Sequence, residues 1–283
     1  MPDELIEQIA EKENLVIKNT RKLSGGSINS VYILHTESGD SVIKINNRPD
    51  SADMFRKEAD GLAILKAAGA FKIPEVYGAG KMGKESYFLM EYLPVRQDKT
   101  GTWEDFAVSL AKLHGHTADS FGLDEDNYIG SLHQYNQSDL THAGEFYIEK
   151  RLKPQFEMAG KNGFSFGNLN SFYENLKYHI PDEKPALIHG DLWNENYMLT
   201  QTGQPALIDP AVAYAPREMD LAMMELFGGF PQEAFSVYNE IAPLEKNWEE
   251  RRDIWQLYYL LVHLNLFGQN YFHPITRIMG RFR

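Results

Sequence analysis

Residues 185–210 can satisfy their own pattern in very few ways. Pro185-Ala186-Leu187-Ile188 is a short apolar run that stops at His189-Gly190, which predicts a buried strand delivering a polar loop that begins at Asp191. Two further β-rich runs, Tyr197-Met198-Leu199-Thr200 and Pro205-Ala206-Leu207-Ile208, flank Gln201-Thr202-Gly203-Gln204, and such runs around a glycine-containing turn predict a hairpin. With the turn centred between Thr202 and Gly203, Asn196 and Asp209 are equidistant from it. Closing the hairpin then carries both side chains to the end where Asp191 emerges. An amide oxygen and a carboxylate suit Mg²⁺, a hard cation usually held by one or two side chains together with substrate phosphates. Asp191 is the carboxylate left to take a proton from an attacking hydroxyl. Capping a turn is the commonest use of any single Asp or Asn in a loop. All three at this spacing point instead to phosphoryl transfer from ATP, with Mg²⁺ as the metal.

A chain of 283 residues can bury a sizeable core as one large domain or two lobes. Strand patterns dominate the first ninety or so residues and helical patterns the rest. This predicts an α+β architecture, with a smaller β-rich N-terminal lobe over residues 1–92 and a larger, mostly helical C-terminal lobe over residues 93–283. The join falls near Tyr92-Leu93-Pro94. The most apolar late segment, residues 257–267, is too short and too polar to span a bilayer and reads as a buried helix of the core.

A formal net charge of -12 argues against nucleic acid or an anionic membrane as the main partner. The absence of cysteine excludes disulfides, thiolate zinc sites and thiol redox control. The acidic first residues, Met1 to Glu7, lack the pattern of a signal peptide, so a cytoplasmic location is expected. Oligomeric state is not legible, and a monomer or weak homodimer is the expectation.

In the N-terminal part, Val31-Tyr32-Ile33-Leu34 and Ser41-Val42-Ile43-Lys44-Ile45 surround the turn-rich Glu37-Ser38-Gly39-Asp40, which predicts a second hairpin. Upstream, Gly25, Gly26, Ser27 and Asn29 belong to a loop whose bare backbone N–H groups could approach phosphates. Adjacent glycines between strands more often mark a plain turn. A helix follows, capped at Asp50 or Ser51 and stopped at Gly69, with Phe55, Glu58, Ala59, Leu62 and Leu65 on one face. Glu58 thus sits inside an apolar stripe, and Lys44 inside an apolar strand. Each buried charge needs a partner, and pairing the two satisfies both. The blander alternative is an exposed Lys and a boundary Glu.

The chain resembles the fructosamine kinase (ketosamine-3-kinase) family, within the aminoglycoside phosphotransferase-like group of the protein kinase-like fold. The resemblance runs over almost the whole chain. It is carried by Gly25-Gly26-Ser27-Ile28-Asn29, Val42-Ile43-Lys44, Phe55-Arg56-Lys57-Glu58-Ala59, Leu110-Ala111-Lys112-Leu113-His114, the catalytic loop from His189 to Asn196, and Pro216-Arg217-Glu218-Met219-Asp220. Its discriminating part is Phe121-Gly122-Leu123 through Asn127-Tyr128-Ile129-Gly130-Ser131 to Gln134-Tyr135-Asn136, since the catalytic loop is shared with choline, homoserine and antibiotic kinases.

The resemblance implies an ATP-dependent kinase that phosphorylates the O3 hydroxyl of a ketosamine, free or protein-bound. In this reading Asp191 is the base, Asn196 and Asp209 are Mg²⁺ ligands, and Lys44 with Glu58 orients the phosphates, in agreement with the independent reading. By analogy with kinase hinges, the Glu91 carbonyl and Leu93 amide contact adenine. Trp193 stacks on the sugar and His263 covers its other side, while Asp220 and His189 support the loop. The sequence departs from the family pattern at Gly144-Glu145, where an aromatic is common, and at Leu266, where a second histidine is common. Two other readings fit parts of the pattern. A kinase of an aminoglycoside, choline or homoserine would lack Trp193 and the segment from Phe121 to Asn136, and a noncatalytic nucleotide-binding scaffold would have lost Lys44, Asp191, Asn196 or Asp209.

Overall fold

The computed structural model describes residues 2–23, 28–96, 98 and 102–282. The expected phosphate-loop residues Gly25, Gly26 and Ser27 lie outside the described residues. A helix, α1 (Pro2–Lys12), precedes three strands, β1 (Ile17–Leu23), β2 (Ser30–Thr36) and β3 (Gly39–Asn46). Helix α2 (Ser51–Ala68) and strands β4 (Val76–Met82) and β5 (Glu85–Glu91) follow. The strands form one antiparallel sheet in the order β1-β2-β3-β5-β4.

The sheet is buried on both faces, so its central strands read as continuous apolar runs while their side chains alternate. Ile43, Ile45, Tyr87 and Leu89 pack on one face with Ile6 and Ile9 of α1. Val42, Phe88 and Met90 pack on the other with Phe55, Leu62 and Leu65 of α2. Lys44 shares the parity of Val42, and its ammonium lies over the Phe88 ring, 5.8 Å from the centroid. Strand parity therefore aims this lysine at α2. Gly69 ends α2 in the left-handed conformation, φ 62°. The expected side-chain cap is not made. The Ser51 hydroxyl instead donates to the Arg48 carbonyl at 2.7 Å and meets Ser86 Oγ of β5 at 2.9 Å, tying the helix start to the sheet.

The remainder is mostly helical. Helix α3 (Trp103–His114) leads to a short hairpin, β6 (Asn127–Ile129) and β7 (Leu132–Gln134). Then come α4 (Ala143–Phe146), a π-helical turn over Tyr147–Leu152, α5 (Lys153–Lys161) and α6 (Leu169–Lys177). Strands β8 (Ala186–Ile188), β9 (Tyr197–Leu199), β10 (Pro205–Leu207) and β11 (Ala213–Ala215) carry the site, with β8 paired to β11 and β9 to β10. Helices α7 (Glu218–Leu226), α8 (Gln232–Ile241), α9 (Trp248–Phe267) and α10 (Phe272–Arg281) complete the chain, with a 3₁₀ turn over Gln269–Tyr271.

The late apolar segment is the second half of α9, which is buried nearly all round from Ile254 to Val262. Its first turns, Glu249-Glu250-Arg251-Arg252-Asp253, hid the helix start behind charge. Arg251 pays for that placement by pairing with the buried Glu218, which also accepts the Trp255 indole N–H at 2.7 Å. Among the described residues no helix is long and apolar enough to cross a membrane.

Candidate active site

Strand β8 ends at Ile188 and hands the chain to His189 and Gly190. Gly190 has φ 84°, and a Cβ there would lie 2.0 Å from the Ala211 carbonyl oxygen, so only glycine fits. Asp220, fully buried in the first turn of α7, accepts the backbone N–H groups of His189 and Gly190, both at 2.8 Å. His114 Nε2 of α3 lies 3.3 Å from the same carboxylate. The His189 ring takes the two groups beside it, with Nε2–H donating to the Ile208 carbonyl at 2.9 Å and Nδ1 accepting the Asp191 N–H at 3.3 Å. Burial holds its pKa below the ordinary histidine value, which suits that neutral tautomer. The expectation that Asp220 and His189 support the loop matches these contacts.

Asp191 leaves the loop next to Asn196, whose Nδ2 donates to the Asp191 carbonyl at 2.9 Å and to its carboxylate at 3.3 Å. Burial pushes the Asp191 carboxyl up to about 7, helped by the fields of Asp209 and Asp220 and opposed by Asn196. The hairpin pairs Tyr197 with Leu207 and Leu199 with Pro205. Asn196 therefore faces Ile208, whose N–H donates to the Asn196 carbonyl at 3.1 Å. The expected symmetry about Thr202 and Gly203 is off by one position. Asp209 compensates with a left-handed backbone, φ 54°, that ends the ladder, and the Asn196 amide still reaches its carbonyl at 3.4 Å.

Lys44 donates to Glu58 at 2.6 Å, as expected, and also to the Asp209 carboxylate. Burial alone would lower the lysine pKa, but the two carboxylates outweigh it and raise it. Burial raises that of Glu58, with Lys44 opposing. No cluster of three or more His, Asp or Glu side chains able to hold a metal occurs among the described residues. Asn196 and Asp209 nonetheless offer hard oxygen donors side by side, the donor set for a Mg²⁺ that also takes phosphate oxygens.

These groups line one cavity of about 740 Å³. One end is an apolar slot between Val31, Val42, Met90, Met198 and Ile208, closed by Leu93. The Leu93 amide makes no hydrogen bond among the described residues. The Glu91 side chain is tied to Lys72 at 2.7 Å, so only its backbone is available there. Asn29 lines the cavity with its side chain held by Asn46 Nδ2 at 2.7 Å.

The other end is aromatic. Trp193 lies 6.2 Å from Phe227, which lies 4.7 Å from His263, and His263 in turn lies 5.4 Å from Phe267 and 5.1 Å from Tyr271. His263 Nδ1 donates to the Tyr259 carbonyl at 2.8 Å, and burial lowers its pKa, so a neutral ring offers Nε2 as an acceptor. Leu266 lines the same end. Phe227, Phe267 and Tyr271 were not singled out in the sequence. Phe267 could have been, since it sits four residues after His263 on one helix face.

The segment from Phe121 to Asn136 supports the site from behind. Gly122, φ 107°, exchanges backbone hydrogen bonds with Tyr214, and a Cβ there would lie 1.8 Å from the Asn136 carbonyl oxygen. Asn127 donates to the Val212 carbonyl at 2.9 Å and Gln134 to the Ala211 carbonyl at 3.0 Å. Tyr258 of α9 donates to Gln134 Oε1 at 2.8 Å. Replacing Tyr258 with phenylalanine leaves that buried oxygen without its donor, and a urea melt should show a loss of about 1–2 kcal/mol.

A two-part fold of this kind, with a Lys–Glu pair on the sheet side and an Asp, Asn and second Asp converging below it, defines an ATP-using phosphotransferase with an alcohol acceptor. The family model for fructosamine kinase matches residues 1–282, and the chain belongs to that family. A probable ketoamine kinase of Enterococcus faecium is 37% identical over 264 residues, covering 91% of this chain and 93% of the relative. The probable ketoamine kinase YniA of Escherichia coli K12 is 32% identical over 267 residues, covering 93% and 91%. A crystal structure assigned as a fructosamine-3-kinase, from Haemophilus somnus, superposes with a TM-score of 0.89 at 31% identity, covering 99% of this chain and 97% of its own. An aminoglycoside phosphotransferase held with ADP and hygromycin B superposes at 0.69 with 14% identity over 97% and 95%, a likeness of fold alone.

Proposed function

We propose that the protein transfers the γ-phosphoryl group of ATP to the O3 hydroxyl of a ketosamine, with residues 1–92 and 93–283 as the two lobes that enclose the nucleotide. The observation that carries this reading is that the Asp191 loop and the ring set of Trp193 and His263 line the same cavity. The names carried by its relatives support the acceptor class.

In this reading the adenine lies in the apolar slot against the Glu91 carbonyl and Leu93 amide, and Lys44, oriented by Glu58, reaches the phosphates. Asn29, which lines the cavity, lies beside them; the contacts expected of Gly25, Gly26 and Ser27 fall outside the described residues. Asn196 Oδ1 and the Asp209 carboxylate would hold Mg²⁺, which when bound neutralises phosphate charge. Trp193 stacks on the sugar while His263 accepts from one of its hydroxyls, which fixes O3 beside Asp191. Asp191 takes the O3 proton as the new O–P bond forms and the bond to the β-phosphate oxygen breaks, releasing ADP. Catalysis is mostly positioning and charge neutralisation.

Phe227 and Phe267, 42% and 50% exposed, line the same cavity as Trp193 and His263 and leave rings open to the acceptor's amine substituent. The test is a panel of ribulosyl-lysine, fructosyl-lysine, kanamycin and choline with MgATP. ³¹P-coupled NMR should place the new phosphate on O3 of the ketosamines and find none on kanamycin or choline. Transfer to kanamycin or choline in preference to the ketosamines would overturn the reading.

A further inference from the structure

We propose that Glu195 is a specificity residue that recognises the positive charge of the acceptor's amine, an inference that rests on the ketosamine reading above. The argument is one of charge accounting within the cavity. Lys44 is shared by Glu58 and Asp209, Lys57 is paired with Glu125, and Glu91 with Lys72, so each of these carboxylates has a cationic partner. Two cavity-lining carboxylates, Asp191 and Glu195, have no ion pair among the described residues. Asp191 has its work in the transfer step. Glu195 is exposed and follows Trp193 by two residues.

Its surroundings fit a cation. The neighbouring end of the cavity is walled by Trp193, Phe227, Phe267 and Tyr271, whose ring faces attract ammonium groups, and His263 there is neutral. Among the described residues no cationic side chain lining the cavity competes for the carboxylate, because its lysines, Lys44 and Lys57, are both engaged. A secondary amine is protonated near neutral pH, whereas a free sugar or an ether-linked one carries no charge. A carboxylate lining the same cavity as the rings therefore favours an aminated sugar over a neutral sugar of the same shape.

The test compares two acceptors with wild type and Glu195→Gln, using 1-deoxy-1-(benzylamino)fructose and the 1-O-benzyl ether in which oxygen replaces the amine nitrogen. Steady-state assays at saturating MgATP give the preference for amine over ether as a ratio of kcat/KM. We expect Glu195→Gln to lower that preference by about fivefold, the size of a solvent-accessible ion pair. The preference of the wild type should also decline with added salt, and that of the variant should not. A preference that is unchanged by the substitution, or insensitive to salt in the wild type, would overturn the role of Glu195 and leave the ketosamine reading standing. Failure of the wild type to phosphorylate the amine at all would overturn the ketosamine reading, and the role of Glu195 with it.

Discussion

Asp191→Asn is expected to lower kcat by about 10³-fold while MgATP still binds as in the wild type, measured by steady-state turnover and calorimetric titration. The side chain keeps its shape, so the Asn196 amide retains an oxygen to donate to at that position, and the loop stays fixed through His189, Gly190 and Asp220. What is lost is the group that receives the hydroxyl proton. Burial, with the fields of two neighbouring carboxylates added, raises the readiness of this carboxyl to accept one. Near-normal turnover in the variant would remove Asp191 from its role as base.

The second large effect is expected at Asp209. Asparagine tolerates the left-handed backbone at this position and therefore removes the charge without adding strain. Lys44 keeps Glu58 as its partner, so the buried ammonium is not stranded. MgATP affinity should fall at least tenfold, on the order expected for a disturbed metal site, and turnover by on the order of 10²-fold to 10³-fold. Calorimetry with MgATP, set beside ADP without metal as a control, separates lost metal binding from general damage. Unchanged MgATP affinity would count against Asp209 as a ligand.

The parts of this site that were legible in the sequence are those in which a local rule is broken. Lys44 in an apolar strand and Glu58 in an apolar helical stripe each demanded a partner, and strand parity plus helix periodicity left them facing each other. The stretch around Asp191 was legible because three polar residues recur around a hairpin. The register was missed by one position because Thr200 pairs with Gln204, which closes the hairpin on a three-residue loop with Gly203 left-handed at φ 85°, where the apolar pattern read a four-residue turn. The second partner of Lys44 was missed because Asp209 lies 165 residues away in sequence. The rings of Phe227 and Tyr271 were missed for a similar reason, since each sits past a helix end or in a single turn and they meet only in the folded chain. Helix α1 went unread because its few apolar residues, Leu5, Ile6 and Ile9, form too narrow a stripe to stand out.

The anchoring of the catalytic loop divides the site into a part that resists change and a part that accepts it. Asp220 receives two backbone N–H groups and a histidine from α3 in full burial, so almost any substitution there moves the reacting carboxylate. The mouth, by contrast, is made of half-open rings and a single exposed carboxylate that share no hydrogen bond with that anchor. Mutations at the mouth can therefore accumulate without loss of phosphoryl transfer. A lineage built on this scaffold can drift from one glycated amine to another through neutral intermediates, and enzymes for new acceptors should be selectable from libraries confined to positions 195, 227, 267 and 271.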